Sequence, residues 1–147
     1  MIKRNLPLMI TLAVFVLGYL YCLTQFPGFA STRVICNILT DNAFLGIIAV
    51  GMTFVILTGG IDLSVGAVMA ICGAVAAKMV TLGYPLPVTL LAALATGAAC
   101  GLWNGLLVSV LRIQPIIATL ILMVAGRGIA QLVTEGAILT FSDPGFA

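Results

Sequence analysis

One carboxylate stands inside one of the most apolar regions of this chain: Asp62, in the stretch TGGIDLSVG from Thr58 to Gly66. An ionisable group within a membrane segment costs at least ~2.5 kcal/mol at a helix centre, so something must offset it. One answer is capping. Placed just before an apolar helix, Asp62 can accept hydrogen bonds from the free N–H groups and complement the helix dipole. Ser64 can assist, and Gly59 and Gly60 let the backbone turn sharply. Another answer is proton carriage, with Asp62 titrating in an ion-coupled carrier. The two do not exclude each other, because a capped, broken helix is a usual way to build a permeation path.

Enzyme chemistry is not expected. The segment GGID has a superficial likeness to intramembrane aspartyl proteases, but that chemistry needs two carboxylates sharing a proton. Asp41 stands at the mouth of a span at best, and no other aspartate lies in one. The chain has no histidine, which excludes a Ser-His pair and removes the commonest metal ligand. Cys22, Cys36, Cys72 and Cys100 lack the close paired spacing of a zinc site. Cys72 and Cys100 read as small core residues, while Cys22 and Cys36 flank one loop and could pair in an oxidising compartment. No metal and no cofactor is expected. Arg127 is the second candidate: it either snorkels to the interface or lines a cavity as a partner for an acidic group such as Asp62. Asn104 reads as an interhelical hydrogen bond, and Gln114 as a turn residue.

The elements that must position these residues are membrane helices. Hydrophobic residues make up 63% of the 147 and charged residues 7%, where a soluble domain carries about a quarter. The chain therefore reads as an all-α polytopic membrane protein forming a single transmembrane domain over 1–147. A net charge of +2 without a basic cluster gives no sign of nucleic acid.

Leu6 to Leu23 is long enough to span behind Lys3 and Arg4. It is read as an uncleaved first helix rather than a signal peptide, although GFAS (Gly28 to Ser31) offers small residues. The two cations place the amino terminus in the cytoplasm. Thr24 to Asn37 reads as an external loop with FPGF as a turn. Ala43–Leu57 and Val65–Ala77 are short apolar blocks meeting at TGGIDLS. They are either discontinuous half-helices around a loop within the membrane, or full helices extended over their polar flanks, past Lys78 in the second case. GYP (Gly83 to Pro85) marks a turn, then Leu86–Leu111 spans.

In that span Gly97, Gly101 and Gly105 form a four-residue stripe expected to let another backbone approach. Gly66, Ala70 and Ala74 repeat the device. LRIQP makes the next turn, with Pro115 suited to a helix start, and Ile116–Val133 is the last helix. The tail TEGAILTFSDPGFA has no clear span. Five helices result, with the carboxyl terminus outside, Arg112 inside, and Arg33 and Lys78 outside.

The segment AVGMTFVILTGGIDLSVGAV (Ala49 to Val68) closely resembles the signature of permease subunits of bacterial ABC sugar importers, the ribose, xylose and galactofuranose group. IQPIIATLILMVAGRGIAQLV (Ile113 to Val133) is similar to that family's proline-to-arginine-glycine helix. The likeness extends from Asn37 to Val133, and the opening through Ser31 resembles a galactofuranose permease subunit. Gly60, Asp62, Ser64 and Gly66 match the signature, and Arg127 and Gly128 the later motif.

The resemblance implies an inner-membrane subunit that dimerises with a like or unlike permease. It would take a monosaccharide from a periplasmic binding protein and be driven by a cytoplasmic ATPase on a separate subunit. It also implies a carboxy-terminal half, absent here, that carries the loop docking on the ATPase. Taken alone, the chain is then an amino-terminal half, or a transport-inactive fragment serving only in assembly.

Overall fold

Helix boundaries follow the punctuation in the sequence. The computed structural model describes residues 2–140. It contains α1 (Ile2–Gln25), α2 (Thr32–Asp41), α3 (Ala43–Leu57), α4 (Val65–Thr81), α5 (Leu86–Ser109) and α6 (Pro115–Val133), with no strand among the described residues. Three helices are long and apolar enough to cross a membrane: 5–25, 86–109 and 115–133. A fourth span results if α2 and α3, bent by 46° about Asn42, are counted as one, and α4 is a shorter apolar helix. The end of the tail lies outside the described residues.

The chain divides into two compact units, residues 1–47 and 48–147. In the first, the expected loop over Thr24–Asn37 is shorter than anticipated, because α2 begins inside it. Ser31 is the reason. It takes an extended conformation (φ −70°, ψ 144°) and its side chain accepts from the Val34 N–H, a helix start. FPGF does turn: Gly28 has φ +84° and the Ser31 N–H donates to the Gly28 carbonyl at 3.0 Å. No described residue of this unit up to Ile47 is buried.

In the second unit α4 packs against both α5 and α6. Contacting pairs give the directions. Asn104 meets Ser64, and Gly97 lies beside Cys72, so α5 runs antiparallel to α4. Gly126 lies on Ala67, and Glu135 meets Lys78, so α6 runs parallel to α4. The core is small-residue packing: Ala67, Ile71 and Ala74 of α4 against Ala118, Leu122 and Gly126 of α6. Such packing suits a bilayer, where close dispersion contact replaces the hydrophobic drive.

Of the two readings of the second apolar block the structure has the longer: α4 continues past Lys78 to Thr81 and runs alongside α6, while remaining a shorter apolar helix than the three spans. Two expectations change here. The packed stripe of α4 is Ala67–Ile71–Ala74, one residue on from the expected Gly66–Ala70–Ala74, because Ala67 is the residue that Gly126 admits. The four cysteines are free thiols, and Cys72 and Cys100 are half-buried rather than core.

Candidate functional site

The TGGIDLS loop is made by the way α3 stops. Gly59 has φ +77°, its N–H donates to the Ile56 carbonyl at 2.9 Å, and the Gly60 N–H reaches back to the Val55 carbonyl at 3.1 Å. This is a Schellman ending, which needs a left-handed residue and so favours glycine. Gly60 then passes close to Val55 and Pro115. The chain then runs without regular structure through Asp62 until α4 begins at Val65.

Asp62 holds Ser64, the residue before α4, rather than the free N–H groups of the helix that it was expected to cap. Its Oδ1 accepts from the Ser64 N–H at 2.7 Å and from the Ser64 hydroxyl at 2.6 Å. Ser64 is 1% exposed, and its Oγ accepts from Asn104 Nδ2 on α5 at 2.9 Å. The donor order is forced. Because the Ser64 hydroxyl proton goes to the carboxylate, Asn104 must present its NH₂ to Ser64. Asn104 Oδ1 is left buried without a partner among the described residues. The expected interhelical role of Asn104 is therefore met, and its partner is the loop itself. Ser64, in helical backbone conformation, does not cap α4 with its own side chain.

Depth follows from the pairings. Asn104 lies five residues before the end of α5, and Thr119 lies four residues into α6, within 3.4 Å of the Ile61 carbonyl. At 1.5 Å per residue, the loop sits roughly 6–8 Å inside one end of the helices. That end also carries the Arg112 turn, while Lys78 and Glu135 mark the other.

Beside this polar chain lies an apolar groove of about 550 Å³, within the usual range of ligand pockets. Met52 and Val55 of α3, Val68 and Met69 of α4, and the glycine face of α5 line it, together with Gly60, Asp62, Ser64, Asn104 and Thr119. Gly97, Gly101 and Gly105, expected to seat another backbone, line this groove, and no helix among the described residues is seated on them. A Cβ at Gly101 or Gly105 would meet nothing within 4 Å, and one at Gly97 only Cys72 Sγ at 3.5 Å.

The sequence-predicted residues divide accordingly. Gly60, Asp62 and Ser64 line the groove, with Gly59 shaping the turn. Gly66 is exposed on α4 and does not line it. Arg127 is exposed on α6, away from the groove, and among the described residues it makes no ion pair with Asp62. Gly128 lies with it on α6, on a shallow surface beside Gln131 and Glu135. Sequence reasoning missed Thr119, whose hydroxyl donates to the Pro115 carbonyl at 2.8 Å, and Gly126. The signal for Gly126 was its spacing of four from Leu122 and Ala118; Thr119 lies off that series and gave none.

A family model described as "Branched-chain amino acid transport system / permease component" matches residues 34–146. The chain belongs to this permease family. Among its relatives in Escherichia coli (strain K12), the Inner membrane ABC transporter permease protein YjfF is 62% identical over 145 residues, covering 94% of this chain and 42% of that protein. The Galactofuranose transporter permease protein YtfT is 62% identical over 108 residues, 74% of this chain and 32% of that one. The Ribose import permease protein RbsC is 46% identical over 114 residues, 78% of this chain and 36% of that one. The resemblance to sugar-importer permeases is thus borne out. The chain spans less than half the length of these relatives, all transport permeases by name. No solved structure gives a significant match to this permease segment.

Proposed function

We propose that this chain is part of the permease of an ABC sugar importer in a bacterial inner membrane, its amino terminus in the cytoplasm. The groove beside Asp62 would contribute to the translocation path of a monosaccharide, a galactofuranose-like or other pentose or hexose. One observation carries the reading: the Asp62–Ser64–Asn104 chain opens into an otherwise apolar groove and keeps an acceptor spare. Among the described residues Asp62 Oδ2 has no hydrogen-bond partner. A neutral polyol needs such a site, since a hydroxyl can donate to it while its carbon faces slide along smooth apolar walls.

In this role the permease works with a cytoplasmic ATPase, a periplasmic sugar-binding protein and a second permease subunit, like or unlike itself. ATP hydrolysis belongs to the ATPase. Gly59 and Gly60 shape the loop, Asp62 and Ser64 hold it at the path, and Gly66, Arg127 and Gly128 act outside the groove.

The test is uptake of labelled sugar by cells carrying the complete transporter. Asp62→Asn should cut uptake at least tenfold without lowering the amount of transporter in the membrane, and full uptake would overturn the reading. Depleting ATP should stop uptake while collapsing the proton gradient should not. The reverse pattern would favour a carrier in which Asp62 carries the proton.

A further inference from the structure

We propose that α2 is an interfacial helix, lying at the boundary between lipid headgroups and acyl chains with one face in each. The inference rests on residues 2–47 alone and is independent of the groove.

The helix is a separate element with its own ends. Ser31 starts it, and Asn42 closes it by donating from Nδ2 to the Ile38 carbonyl at 2.7 Å. A bend of 46° then separates it from α3. Eight of its ten residues sort onto two faces at 100° per residue, with Thr32 and Cys36 between them. Val34, Ile35, Ile38 and Leu39 fall on one face, and Arg33, Asn37, Thr40 and Asp41 on the other. None of the ten is buried, and Ile35 and Leu39 are 44% and 67% exposed. Val34 and Ile38 are half-buried, but nothing in this unit buries Ile35 or Leu39.

Position in the chain names what does. A helix apolar enough to span precedes α2, and the apolar α3 follows it, so α2 cannot leave the membrane boundary. Water would meet the bare Ile35 and Leu39 side chains, and the hydrocarbon core would meet Arg33 and Asp41. Only the interface matches both faces. An independent marker sits at the same place. At the end of α1 and in the turn after it, Tyr19 and Phe26 both pack on Phe29, with ring centroids 5.3 and 6.4 Å apart. Tyrosine is a residue that gathers at headgroup level in membrane proteins, and Tyr19 is the member of this cluster that marks it.

The experiment uses the complete transporter in phosphatidylcholine–phosphatidylglycerol vesicles, with native cysteines replaced by serine and sugar uptake retained. Nitroxide labels go singly on Arg33→Cys, Ile35→Cys, Asn37→Cys and Ile38→Cys. Power saturation compares access of oxygen, which concentrates in lipid, with that of a water-soluble nickel chelate. Labels at 35 and 38 should favour oxygen several-fold over labels at 33 and 37. Equal preference for oxygen at all four would mean a broken span and overturn the proposal. Equal preference for nickel would mean a helix in water, and poor access of both reagents at 35 and 38 a protein partner on the apolar face; either overturns it too.

Discussion

Two small-residue faces in this permease segment meet opposite fates. On α6, Gly126 is closed: a Cβ there would lie 2.9 Å from the Ala67 Cβ and 3.2 Å from Ile71 Cδ1. On α5, Gly101 and Gly105 are open, with nothing within 4 Å of the same imaginary atom. Both faces repeat small or apolar residues at intervals of four, so the repeat alone does not say which is packed. A glycine can bring two backbones together, or it can keep a wall clear.

The contrast breaks most easily at Gly126. Gly126→Leu should prevent α4 and α6 from seating, and even Gly126→Ala should cost about 1–3 kcal/mol of overpacking. The thermal unfolding midpoint of the purified transporter would show the loss. An unchanged midpoint would mean the seam is looser than described. Gly101→Leu should do the reverse: its side chain fits into the groove, so the midpoint holds while sugar uptake falls several-fold. If Gly101→Leu destabilises as much as Gly126→Leu, the α5 face is packed after all.

Asn104→Ala sharpens the polar side of the comparison. It leaves the Ser64 Oγ without its donor, and interhelical hydrogen bonds in membranes contribute about 0.6 kcal/mol on average and at most ~1.7. A small drop in midpoint with a larger drop in uptake is the expected split.

The least effect belongs to the far end. Lys78 Nζ bonds Glu135 Oε1 at 2.7 Å, and this hydrogen bond together with the lysine's charge holds the Glu135 carboxyl below the usual carboxylate range. The contribution is therefore complete above that ordinary range and lost as the pH falls through the depressed folded value. Glu135 is largely exposed, so screening keeps it small. On lowering the pH from 7 to 4 the native transporter should lose only slightly more stability than Glu135→Gln. A large gap between them would mean the pair is shielded by something further.

Much of this was legible from residue types. α3 begins and ends where its apolar block does, because glycine on one side and asparagine on the other cannot continue it. Asp62 stood out because a carboxylate in an apolar run needs partners, and it has them. The identity of those partners was less accessible. Asn104 lies 40 residues from Ser64, and only the antiparallel return of α5 brings the two together. α2 was hidden by its polar face, which reads as loop until Ser31 is recognised as a start. The choice of Ala67 over Gly66 as the packed residue is a rotation of one position, set by the partner helix and invisible in α4 itself.

The parallel course of α4 and α6 also orders events in time. A chain emerging from the ribosome completes the Asp62 end when Asn104 arrives, but the opposite end must wait for Glu135, 57 residues after Lys78. α6 follows α4 and α5 in the chain and covers Ala67 and Ile71, so within this segment it acts as the latch that locks the α4–α5 pair.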